Sequence, residues 1–113
     1  MTALSRAYGS IDDVLDEWWK WTRVRRGDPV RYKSVLAVYQ DDPPNITDED
    51  AMTVDHEICL LRSRLPDEHQ ALFAFLKCNG NLTATSKALH TSTITARLYV
   101  RRAEAWLEAR LFE

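Results

Sequence analysis

Glycine is scarce in this 113-residue chain, with three copies, and proline hardly commoner, with four. Gly9, Gly27 and Gly80 stand apart at expected helix boundaries, so there is no glycine-rich loop to cradle a phosphate. No apolar run approaches 18 residues, which excludes an apolar helix long enough to cross a membrane. Two cysteines, Cys59 and Cys78, make no disulfide framework. Met1 to Ser10 carries no apolar signal core, so the expectation is a protein of a reducing cytosol. No local arrangement of serine, histidine and acid forms a catalytic constellation, and no enzyme is expected. Charge of either sign is not in excess: 15 basic and 17 acidic residues sum to −2, which taken as a total argues against a nucleic-acid binder. What remains is a globular composition, 45% apolar and 28% charged, of a length that suits one core.

The sum conceals a segregation. Lys20, Arg23, Arg25, Arg26, Arg31 and Lys33 cluster with only Asp28 among them. Asp41, Asp42, Asp48, Glu49, Asp50, Asp55 and Glu57 follow, with no lysine or arginine between Lys33 and Arg62. The final third turns basic again through Lys77, Lys87, Arg97, Arg101, Arg102 and Arg110. A solvated helix face accounts for any one of these runs, and less readily for the succession of three.

Apolar spacing of three and four dominates, and the chain reads as all-α. Ser10 with Asp13 forms a capping box, after which Ile11, Val14, Leu15, Trp18 and Thr22 share a face until Gly27-Asp28-Pro29. Val30 to Asn45 is mixed, a short helix or an extended piece, closed by Pro43-Pro44. Thr47 with Asp50 makes a second box, before the stripe Ala51, Val54, Ile58, Leu61 and Leu65. Pro66 opens another helix whose apolar side is Leu72, Phe73, Phe75 and Leu76, and Asn79-Gly80-Asn81 ends it. Residues 1–46 form an N-terminal helix with a connecting segment, and residues 47–113 a helical region, within one compact unit.

The last third reads as a helix-turn-helix, with a first helix over about Leu82 to His90 and a second over Thr93 to Leu111. Ser86 supplies the small residue needed where the helices cross, with Ala84 and Ala88 nearby, and Leu89 the apolar anchor. The turn position that usually holds glycine is His90, and histidine is among the residues enriched at φ > 0. Ser92 is a good N-cap. The buried stripe of the second helix is Ala96, Tyr99 or Val100, Ala103, Trp106 or Leu107, and Leu111. That leaves Thr93, Thr95, Arg97, Leu98, Arg101 and Arg102 outward. In a DNA reader, Ser92, Thr93 and Thr95 lie at the end that approaches base edges, and Arg97 can grip guanine for roughly 1–3 kcal/mol of discrimination. Arg101, Arg102 and Lys87 suit phosphates. The alternative is a plain helical hairpin with a solvated arginine face.

Three segments carry a resemblance to a known family. They are Leu15-Asp16-Glu17-Trp18-Trp19-Lys20-Trp21; Asp48-Glu49-Asp50-Ala51-Met52 running on to Val54-Asp55 and the Ile58 to Leu61 helix; and Arg102 to Leu111 after the helix-turn-helix. In this order they resemble the late-gene antitermination Q proteins of lambdoid phages, of the phage 21 type. Between Val30 and Pro44 the likeness is confined to Tyr32 and Ser34. The helix-turn-helix also resembles region 4 of bacterial sigma factors and small phage activators.

The resemblance implies a non-catalytic transcription factor without cofactors, acting in the cytoplasm of the bacterial host. Such a protein binds double-stranded DNA at a phage late promoter, engages paused RNA polymerase with its sigma factor, and makes it read through pauses and terminators. By position, DNA contact falls on Thr93, Thr95, Arg97, Arg101 and Arg102. Trp18, Trp19 and Trp21 point about 100° and 300° apart round one helix, so they cannot all face one interior. Trp19 and Trp21, with Arg23, Arg25 and Arg26, are therefore candidates for contact with polymerase or nascent RNA. Two other readings stay open: a sigma-like activator that never travels with polymerase, and a small terminase-like packaging protein. His56, Cys59, His69 and Cys78 make up a zinc-type ligand set, but their spacing differs from short-spaced zinc knuckles, and no metal site is expected.

Overall fold

The structure, a computed structural model, describes residues 8–25 and 45–112. The expected stop at Gly27-Asp28-Pro29, the Val30 to Pro44 segment and Arg26 lie outside the described residues, as does the side chain of Arg25. Five helices are present, and no strand among the described residues: α1 (Ile11–Arg25), α2 (Asp48–Arg64), α3 (Pro66–Lys77), α4 (Leu82–Leu89) and α5 (Thr93–Leu111). The protein is all-α.

Local chemistry starts each helix. Ser10 and Asp13 close their box from both sides: the Asp13 amide donates to Ser10 Oγ (3.4 Å), and the Ser10 amide donates to Asp13 Oδ2 (3.2 Å). Gly9, at φ +90, makes room for this, because a Cβ there would stand 2.6 Å from Asp13 Oδ2. The second box is only half made. Thr47 Oγ1 accepts from the Asp50 amide (3.1 Å), but the Asp50 carboxylate accepts from the Tyr8 hydroxyl, which pins the start of the described chain to α2. That hydrogen bond to a carboxylate, with burial, raises the Tyr8 pKa.

α2 passes to α3 through one residue, Leu65, and Pro66 stands in the first turn of α3, where its missing N–H costs nothing. Beyond α3, Asn79 (φ 54) and Gly80 (φ 80) both turn left-handed, and the Gly80 amide reaches back to the Phe75 carbonyl at 2.9 Å. Asn81 then caps α4 by accepting from the Ala84 amide at 3.0 Å.

One core joins all of this. α5 is the central strut, packed on each of the other four helices, and α1 lies against α2 and α5. The α1 face is Ile11, Val14, Leu15, Trp18 and Thr22, every one buried, as the spacing predicts. Ala51, Val54, Ile58 and Leu61 of α2 and Leu72 and Leu76 of α3 meet it, while Leu65, Phe73 and Phe75 are half-buried at its margin. On α5 the buried stripe is Ala96, Val100, Ala103, Leu107 and Leu111, so Val100 and Leu107 take the core positions and Tyr99 and Trp106 stand half-buried beside them.

The tryptophans of α1 divide as helix geometry requires. Trp18 is 1% exposed, and its Nε1 finds no acceptor among the described residues. Trp19 is half-buried in an aromatic cluster, its ring 6.2 Å from Trp18 and 5.7 Å from Phe73. Trp21, also half-buried, donates from Nε1 to Asp48 Oδ1 at 2.8 Å, tying the end of α1 to the start of α2.

Candidate nucleic-acid interface

The unit of interest is α4, a three-residue turn and α5. Within α4, Thr85 is fully buried and donates to the Asn81 carbonyl (2.7 Å), and Ser86 donates to Thr83 (2.8 Å). Both hydroxyls are thus satisfied inside α4, which leaves small side chains where α5 crosses. Leu89 is half-buried at the end of the helix. His90 then adopts φ 56, ψ 44, the left-handed conformation expected at this position. The Thr91 amide returns to the Ser86 carbonyl at 3.0 Å, which closes the turn.

Ser92 starts α5. Its Oγ accepts from the Thr95 amide (3.1 Å) and donates to Thr95 Oγ1 (3.0 Å). The Ser92 hydroxyl is therefore committed to the cap, while Thr95 keeps its own hydroxyl proton to donate outward. Thr93 is exposed and Thr95 half-buried.

Arg97 and Arg101 project from the exposed side, and neither meets a carboxylate within ion-pair distance among the described residues, although the Arg101 charge acts on Glu104 one turn further along α5. Arg102 behaves differently. Its guanidinium leans toward Glu68 of α3 at 3.9 Å, so part of its charge is spent within the fold. Lys87, in the last turn of α4, is exposed. The surrounding sequence sharpens the electrostatics: residues 69–103 contain no Asp or Glu, but hold Lys77, Lys87, Arg97, Arg101 and Arg102.

The face also carries two exposed aliphatic side chains: Leu98, which the spacing places outward, and Ile94, which was not assigned to either side. Ile94, in the first turn of α5, is 80% exposed, and Leu98, one turn on, is 47% exposed. The signal was available, because Ile94 falls opposite Ala96 on a helical wheel.

Two carboxylates meet where α5 runs past α1. A cleft of about 520 Å³ lies there, with Asp12, Asp16, Trp19, Phe75, Asn79 and Glu104 in its wall. Burial, followed by the hydrogen bond and negative charge of Asp12, pushes the Glu104 pKa up to about 8. The other α1 candidate with a described side chain, Arg23, is exposed and lines the same cleft.

The four zinc-type side chains are dispersed. His56 and Cys59 are exposed on α2, and Cys78 is half-buried at the end of α3. His69 stacks on Phe73 at 4.5 Å, its pKa lowered by burial and then by the charge of Arg62. Among the described residues, no group of three or more His, Cys, Asp or Glu is placed to hold a metal ion. No described helix is long and apolar enough to cross a membrane.

No family model, curated protein or solved structure matches this chain.

Proposed function

We propose that this chain is a DNA-binding transcription protein in which α4 and α5 act as a helix-turn-helix, with the first turns of α5 entering the major groove. One observation carries the reading. The exposed N-terminal half of α5 presents Thr93, Thr95, Arg97 and Arg101 on the only long stretch of the sequence without an acid, and Arg97 has no carboxylate within ion-pair distance among the described residues. Exposed guanidinium groups beside a helix N-terminus suit phosphate and guanine alike.

Within that class, the resemblance to phage late-gene antitermination proteins supports the more specific role. The protein binds at a late promoter, engages paused RNA polymerase with its sigma factor, and carries it past terminators in the host cytoplasm. Trp19, Trp21, Arg23, Arg25 and Arg26 are the proposed contacts with polymerase or nascent RNA, although Trp19 and Trp21 also serve the fold.

The test is run-off transcription past an intrinsic terminator, on a template carrying the late promoter of the phage that encodes the protein. Antitermination predicts more full-length product per initiated transcript. More initiation at unchanged readthrough assigns the protein to sigma-like activators. No effect on transcription, with a ring-sized oligomer in light scattering, assigns it to packaging.

A further inference from the structure

The outermost positions on the leading half of α5 are apolar. At about 100° per residue, Ile94 and Leu98 lie about 40° apart and straddle the line opposite Ala96. Ala96 is fully buried, whereas Ile94 is 80% and Leu98 47% exposed, so neither serves the core. Around this pair stand Thr93, Arg97 and Arg101, all exposed.

We infer that Ile94, with Leu98 beside it, reads thymine C5-methyl groups in the major groove, an inference that rests on the DNA reading of α5 above. Neither side chain can hydrogen-bond a base edge. The one major-groove group an aliphatic side chain can favour is the thymine methyl, since cytosine carries only hydrogen at that carbon. The environment selects nucleic acid over a protein surface. Protein docking sites are contiguous apolar patches of several hundred Å², while here two aliphatic side chains stand beside two exposed arginines on an acid-free stretch of sequence. Arg97 and Arg101 lie together on one flank of the pair, about 60° and 20° round the helix from Ile94, so aliphatic and cationic contacts share one exposed face of α5. The inference also separates two roles on one helix: Arg97 favours guanine, and Ile94 favours thymine over cytosine at a neighbouring pair.

The experiment uses the full chain. Duplexes enriched from a random-sequence library are resynthesised with deoxyuridine replacing thymidine one position at a time, which removes a methyl and nothing else. At one or two positions the loss of affinity is expected to be about fourfold, the worth of one buried methyl-sized group. Ile94→Ala, whose fold is verified by an unchanged melting curve, binds thymine and uracil duplexes equally at one of those positions. Equal binding of uracil and thymine duplexes by the native protein at every position overturns the inference and leaves the DNA reading standing. So does a preference for thymine that survives in both Ile94→Ala and Leu98→Ala. If no duplex is enriched at all, the DNA reading falls and the methyl inference falls with it.

Discussion

Arg110, one residue from the end of α5, donates through Nε to Glu57, a carboxylate in the middle of α2 that is only 5% exposed. The guanidinium also lies 4.9 Å from the centre of the Trp106 ring. This pair fastens the far end of the central helix to its neighbour, and its two members are unequally placed. Removing the arginine leaves a buried carboxylate without this partner, while removing the carboxylate lets a 40% exposed arginine side chain turn to water. Arg110→Ala should therefore cost roughly 1–3 kcal/mol of stability, because the buried Glu57 carboxylate loses this donor, and Glu57→Leu less. Urea unfolding of both variants checks the order; equal losses would contradict the asymmetry.

The turn between α4 and α5 predicts an unusual stabilisation. His90 holds φ 56, where an L residue is disfavoured by roughly 1–2 kcal/mol and glycine is not. Glycine gives back part of that gain through the greater freedom of the unfolded chain. His90→Gly is expected to be more stable by about 0.5 kcal/mol, and His90→Val less stable than the native protein. Thermal melts of the three proteins decide it, and a lower melting temperature for His90→Gly would count against the left-handed turn.

Glu104 makes stability depend on pH. Its folded pKa, about 8, stands above the ordinary value of 4.5, so the folded protein holds a proton that the unfolded chain releases earlier. Stability contributed by this group is intact below about pH 4.5 and declines as pH rises toward 8, where the Glu104 charge forms beside Asp12. Glu104→Gln keeps the neutral shape and removes the titration. Its denaturation midpoint should exceed that of the native protein by more at pH 9 than at pH 5. A constant difference across that range would refute the assignment.

Three arginines on one helix should behave in three ways toward DNA. Arg97→Ala is expected to narrow the gap between cognate and scrambled duplexes, because a base contact worth roughly 1–3 kcal/mol is lost. Arg101→Ala should weaken both duplexes alike and lower the salt slope by about one. Arg102→Ala should affect DNA binding least, because its guanidinium leans on Glu68. Binding isotherms at several salt concentrations separate the three, and identical profiles for Arg97→Ala and Arg101→Ala would dissolve the distinction between base and phosphate contacts.

What the sequence by itself determined is the local architecture. Ser10, Thr47, Pro66 and Ser92 each mark a helix start, and His90 was identifiable as the left-handed turn residue, whereas Asn81, expected only to end α3, also caps α4. The start signals act through hydrogen bonds and steric limits that span about four residues, and four residues are legible in a string. The apolar stripes followed for the same reason, up to the choice between Tyr99 and Val100 and between Trp106 and Leu107, which neighbouring helices made. Tertiary structure decided the rest. Glu57 finds Arg110 across 53 positions, Arg102 turns to Glu68, and Glu104 meets Asp12 only because α5 crosses α1 at that height. Asp50, expected to complete a capping box, instead accepts from Tyr8, 42 positions away. Such contacts depend on the angle and register at which helices cross, and no spacing rule along one chain encodes these. The near-neutral total charge takes its meaning from the same source, since folding leaves the acid-free stretch of α5 on the surface and commits Glu57 and Glu68 to pairs within the fold.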